Sequence, residues 1–293
     1  MIYILLTVSI SVSLLVVFKL FERWKINTLN AIIFNYAFAA LTGITLLKTE
    51  TGELQFFKSD ATMLILPLGL LFIAVFYAIS QTAQKVSISV ASVANKMSVI
   101  LPVMFSIVIL KEELTIIKTF GIILALISVI FTMYRKSDEP HKFKWLLPLF
   151  VFIGSGMIDI GMNYANSKVI HNNYDTLLFS ASIFLSAFCF GIFFKLANTL
   201  KSIKHATNNE FVSGKDVMGG LLLGVPNYFS IYFMLKALGS GILDSSLLFP
   251  VLNVSNVLLT ALIGLIIYKE NLSKLNYLGL LLALVSLSLI AVS

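Results

Sequence analysis

Residues 110–121 read LKEELTIIKTFG, and residues 268–279 read YKENLSKLNYLG. Both stretches place a Lys-Glu turn, a leucine, a hydroxyl residue and then a glycine between two apolar runs. A shift of 158 residues superimposes them, and the match extends without a gap over Ser87–Met133 and Ser245–Ala291. Fourteen of those 47 positions are identical. Leucine and valine matches mean little in so apolar a chain. Lys111/Lys269, Glu112/Glu270, Gly121/Gly279 and Asn95/Asn253 mean more.

Working outward from the two turns, the chain divides into apolar runs near the ~20 residues that a membrane-spanning helix requires. The first five are Ile2–Phe18, Asn30–Leu47, Thr62–Ser80, Ser87–Leu110 and Thr115–Tyr134. The second five are Leu146–Tyr164, Thr176–Phe194, Val217–Lys236, Asp244–Tyr268 and Ser273–Val292. The repeated unit is helices 4–5 and 9–10, which divides the chain into a first half, 1–134, and a second half, 145–293. Five is odd, so the second half enters the membrane from the opposite side. The expected fold is an all-α integral membrane protein, with about ten transmembrane helices as two inverted five-helix repeats. Inverted repeats of this kind are a recurring architecture of secondary transporters, which bind substrate near the midplane between the halves.

Composition agrees. Hydrophobic residues are 58% of the 293 and charged residues 12%, against roughly 25% charged in soluble domains. The net charge of +7 resides between apolar runs, where it signals topology and not nucleic-acid binding. The start of the chain has no basic region before its first apolar run, so that run reads as a helix and not a cleaved leader. The single cysteine, Cys189, excludes a disulfide framework and reads as an inert thiol within the membrane. His141, His171 and His205 fall in or beside expected loops, and no metal spacing, nucleophile elbow or phosphate loop occurs. The expectation is therefore no enzyme, no cofactor and no metal.

A few polar residues lie inside the apolar runs, where charge costs about 2.5–3.5 kcal/mol at the bilayer centre. Lys96 is about ten residues into helix 4; Ser89, Ser92 and Lys96 share a face, with Asn95 beside them. Lys96 reads either as an anchor for a substrate carboxylate or phosphate, or as a structural cation paired with a buried acid. Asp159 is the one carboxylate deep in a run, on a face with Ser155 and Asn163. It reads as a proton carrier or amine ligand, or as a counter-ion to Lys96. Helix 9 aligns Asn253, Asn256 and Thr260; helix 8 adds Pro226, Asn227 and Tyr228; helix 3 adds Tyr77. These stripes read as a substrate path or as hydrogen-bonded packing, and Pro226 as a kink. Trp24, Trp145 and Tyr134 read as interfacial anchors.

Two five-helix halves, each with a charged turn before its last helix, resemble the drug/metabolite transporter superfamily, in particular its ten-helix EamA-type branch. Leu110-Lys111-Glu112-Glu113-Leu114-Thr115 and Tyr268-Lys269-Glu270-Asn271-Leu272-Ser273 are similar to the family's Gly-Glu-x-Leu-Thr turn, with Lys in place of the usual Gly. The resemblance implies a carrier of small polar metabolites, often an exporter of amino acids or related compounds, in the cytoplasmic membrane. Protons are the candidate coupling ion, and the assembly a monomer or homodimer. Alternatives are a carrier of phosphorylated or sugar compounds and a membrane scaffold or sensor without transport. Small multidrug-resistance relatives use a buried glutamate in their first helix. Here that helix offers only Ser9, Ser11 and Ser13, with Glu22 beyond its expected end, so that mechanism does not carry over.

Family habit implies both termini inside. The charge count disagrees: 14 Lys and Arg follow odd-numbered helices, from Lys19, Arg23 and Lys25 to Lys269 and Lys274, and 6 follow even-numbered ones. Cytoplasmic loops hold the excess, which puts both termini outside.

Overall fold

The computed structural model describes residues 1–48, 61–85, 94–133, 146–204, 212–266 and 273–292. Ten helices occupy these residues: α1 Ile2–Trp24, α2 Thr28–Leu47, α3 Ala61–Lys85, α4 Ile100–Val108, α5 Ile116–Met133, α6 Leu146–Lys168, α7 Asn173–Lys204, α8 Gly214–Gly239, α9 Ser245–Ile266 and α10 Lys274–Val292. No strand occurs among the described residues. Six helices are long and apolar enough to cross a membrane, and shorter apolar ones accompany them. Trp145, Tyr134, His141, His205 and Ser92 lie outside the described residues.

Several helices run past their apolar segments, because polarity ends a membrane span without ending a helix. α7 continues to Lys204 and α1 to Trp24, so Glu22 belongs to the last turn of α1. Lys25 then takes φ 53, and the Ile26 amide donates to the Phe21 carbonyl at 3.0 Å. Phe21 and Ile26 meet in one apolar cluster with Ala31 and Leu223. This is a Schellman stop, whose left-handed residue is usually glycine; a side chain there costs roughly 1 kcal/mol. Lys111 likewise takes φ 57 after α4. The position where the resembling family carries glycine is thus one whose backbone favours glycine.

Capping accounts for the rest of the repeated turn. Thr115 Oγ1 accepts from the Lys118 amide at 3.1 Å, and Ser273 Oγ from the Asn276 amide at 3.2 Å. The matched hydroxyl residues therefore start α5 and α10 as N-caps. Glu112 caps a third helix: its carboxylate accepts from the Ser245 amide at 3.2 Å and the Ser246 amide at 2.9 Å, and from Ser245 Oγ. It thereby satisfies orphan amides at the positive end of α9.

Helix 4 departs from the uninterrupted span expected over Ser87–Leu110. A helical turn at 94–97 gives way to a turn at 98–99 before α4 begins. Pro102 has no amide to bond Ser98 O, and its ring crowds that carbonyl. The Leu101 amide takes the Ser98 carbonyl instead, at 2.9 Å.

Two compact units make up the chain. The first holds Met1–Val12, Ala78–Asn163 and Ala237–Ser293, and the second holds Ser13–Tyr77 and Tyr164–Lys236. Each therefore draws on both sequence halves. In the first unit, α5 and α10 form the most extensive packing. They run antiparallel: Ser286 Oγ, late in α10, donates to Gly121 O, early in α5, at 2.9 Å, while Asn276 Nδ2 reaches Phe131 O at 3.0 Å. Ala125 and Ala283 meet with Val129, Val254 and Val257 in its core. In the second unit α2 packs on α7, also antiparallel, with Gly43 against Ala181 and Gly191 against Ile33. Cβ atoms built on Gly220 and Gly224 of α8 would lie 2.3 Å from Phe34 Cβ and 2.6 Å from Asn35 O. This small-xxx-small pair is what lets α8 approach α2. Cys189 lies on the exposed face of α7, inside a membrane-length span, and thus turns outward from the bundle.

Candidate functional site

The first unit contains most of the expected site residues. Asn95 and Lys96 occupy the helical turn before the Pro102 kink, both half-buried, and Ser98 Oγ donates to Asn95 O at 2.6 Å. Asp159 is half-buried in mid-α6. Lys96 and Asp159 belong to the same compact unit, and no hydrogen bond or ion pair joins them among the described residues. Neither side chain makes a hydrogen bond among the described residues.

Around them the polar side chains divide into two kinds. Some are consumed by structure. Asn163 Nδ2 donates to Ser106 Oγ at 2.9 Å, and Ser106 Oγ lies 2.9 Å from Ser245 Oγ, which in turn meets Glu112. This buried chain ties α4, α6 and α9 together. Asn253 Nδ2 bonds back to Phe249 O at 3.2 Å, and Thr260 Oγ1 to Asn256 O at 2.7 Å. Others are left over: Asn256 Oδ1, and Ser155 Oγ one turn before Asp159, are buried with no hydrogen-bond partner among the described residues. Such an atom costs about 1–3 kcal/mol, so each is a place where a further donor or acceptor would be stabilising.

The second unit holds Tyr77, Asn227 and Tyr228. Asn227 Nδ2 donates to Asn35 Oδ1 at 3.1 Å, both buried. Tyr228 is fully buried, stacked on Tyr232 at 6.2 Å and close to Phe184. Tyr77 packs edge-on to Phe194 at 5.3 Å. Each makes interhelical packing in this unit. α8 runs through Pro226 without interruption.

Two carboxylates carry more structure than the sequence reading gave them. Asp216, read as linker, is 2% exposed. It accepts from the Asn27 amide at 2.9 Å, Asn30 Nδ2 at 2.9 Å and the Ser213 amide at 3.0 Å, while Lys195 Nζ holds Asn30 Oδ1 at 2.6 Å. Its sequence signal is the capping pattern Ser213-Lys215-Asp216 with a Ser at N-cap and an acid three residues on. Glu112 was visible only as part of a repeated turn; that it caps α9, 133 residues away, had no local signal.

Known proteins resemble the chain at three levels. Residues 1–134 match the model of the EamA-like transporter family. An uncharacterized protein of Haemophilus influenzae is 30% identical over 281 residues, covering 94% of this chain and 92% of that one. A crystal structure at 12% identity superposes with a TM-score of 0.75, covering 99% of this chain and 96% of the other, which speaks to the fold alone.

Proposed function

Because the chain belongs to the EamA-like transporter family and is a multi-pass membrane protein, we propose that it is a secondary carrier of a small zwitterionic metabolite, an amino acid or a related solute, exported by alternating access. One observation carries this reading: the compact unit that holds Lys96 and Asp159 also buries Asn256 Oδ1, and Ser155 Oγ one turn before Asp159, without a hydrogen-bond partner among the described residues. A substrate carboxylate satisfies Lys96 and a substrate ammonium Asp159. Asn95, Asn256 Oδ1 and Ser155 Oγ, the last two without a partner among the described residues, supply further polar contacts; Asn253, bonded back to Phe249 O, holds its helix. A carboxylate in the same unit, Asp159, argues against a dianionic phosphate ester as cargo, because it would repel it.

The helix interruption at 98–99 supports the same location, since proline-interrupted spans mark transporter binding sites. Antiparallel packing of α5 with α10 and of α2 with α7 supports inversion of one half relative to the other: each pair joins helices of equal rank in the two halves. A scaffold has no need of this symmetry. In this reading Asn163, Asn227, Tyr228 and Tyr77 position helices, and protons are the coupling ion.

Purified protein in liposomes tests the reading. Saturable uptake of a radiolabelled amino acid, accelerated by unlabelled substrate on the opposite side, is the expected result. Flux that never saturates and shows no counterflow across an amino-acid panel would leave a scaffold as the better account.

The carrier resides in the cytoplasmic membrane with both termini outside, following the charge count. A fluorescent protein that matures only in the cytoplasm, fused after Ser293, should stay dark in cells; a bright fusion reverses the orientation.

A further inference from the structure

At one end of the second unit, a cavity of about 640 Å³ opens between the end of α1 and the start of α8, lined by Trp24, Lys25, Ile26, Lys215, Met218 and Leu222. Its chemistry is graded. Lys25, Lys215 and Trp24 stand at helix ends and are exposed. Met218 and Leu222 follow Lys215 at spacings of three and seven along α8, one face of the helix, and are 57% and 40% exposed. They lie progressively deeper in the span. Basic groups at the membrane surface thus lead into an apolar groove that no described side chain covers.

Both lysines are held there against local preference. Lys25 occupies the left-handed position that glycine suits. Lys215 sits in the first turn of α8, where the helix dipole disfavours a cation. Neighbouring Asp216 does not neutralise it: that carboxylate is buried and turned to Asn27, Asn30 and Ser213. Among the described residues the cavity has no acidic lining side chain. Two cations therefore stand at its mouth, above an apolar slot.

We propose that this groove binds one anionic phospholipid, its phosphate between Lys25 and Lys215, the glycerol region beside Trp24, and an acyl chain along Met218 and Leu222. The site is separate from the transport pathway proposed above and does not depend on it.

The test uses the full chain in an uncharged detergent. Bound lipid is counted by native mass spectrometry and the thermal midpoint is followed during titration with dioleoyl phosphatidylglycerol, dioleoyl phosphatidylcholine or sn-glycerol 3-phosphate. Phosphatidylglycerol should bind at a stoichiometry of one and raise the midpoint; the other two probes should do neither. Each lysine near an anionic lipid contributes roughly fivefold in affinity, so Lys25→Gln with Lys215→Gln should weaken binding roughly 25-fold. Lys25→Gly with Lys215→Gln keeps the α1 stop unstrained and should show the same weakening in a fully folded protein. Equal binding of phosphatidylcholine, unchanged affinity in either double variant, or a full shift from glycerol 3-phosphate alone would each overturn the proposal.

Discussion

Lys96→Gln should lower carrier-mediated flux in proteoliposomes by roughly 10- to 100-fold, since a hydrogen bond to a charged group contributes about 1.5–3 kcal/mol. Protein yield and thermal midpoint should stay near those of the parent, because the Lys96 side chain is half-buried and makes no hydrogen bond among the described contacts. Asp159→Asn should show a comparable loss. The informative variant is the double one. If both groups hold the substrate, Lys96→Gln with Asp159→Asn remains inactive, as neither end of the zwitterion is then recognised. If they serve only to neutralise each other, each single change strands a charge and the double change relieves it. Recovered flux in the double variant would refute the anchor role while leaving the family assignment intact.

Glu112→Ala should lower stability by about 2–4 kcal/mol, combining the loss of a helix cap with that of charged hydrogen bonds. Three donors lose their acceptor at once: the Ser245 and Ser246 amides and Ser245 Oγ. The last also belongs to the buried chain through Ser106 to Asn163, so three helices share the disturbance. In mild detergent the midpoint should fall on the order of 5–10 °C. Glu112→Gln, which keeps an acceptor oxygen, should recover part of this. Glu113→Ala is the control, because Glu113 is exposed and such changes stay within about 0.5 kcal/mol. Equal midpoints for the Glu112 and Glu113 variants would show the cap to be immaterial.

The membrane class and the helix count were legible because hydropathy and span length are properties of contiguous sequence. Lys96 and Asp159 stand out in the sequence for a related reason: ions inside apolar runs are costly. What escaped were features decided at a distance or by a single atom. The α7 extension to Lys204 carries no apolar signal, and the 98–99 interruption turns on the missing amide of Pro102. Asn227 and Asn256 look alike in sequence, yet one is taken up by Asn35, 192 residues away, and the other's side-chain oxygen has no hydrogen-bond partner among the described residues. Such asparagines differ only in whether a partner arrives from elsewhere in the chain.

The packing of α5 on α10 sets two rows of small residues against each other. Gly121, Ala125 and Ser128 on one helix correspond in the 158-residue match to Gly279, Ala283 and Ser286 on the other; Ala125 meets Ala283 in one core and Ser286 bonds Gly121. A surface that mates with its own duplicate is the hallmark of a two-fold dimer. Bulk added to either helix along this shared line would therefore be felt by both at once, because each small side chain is the space into which the other helix packs.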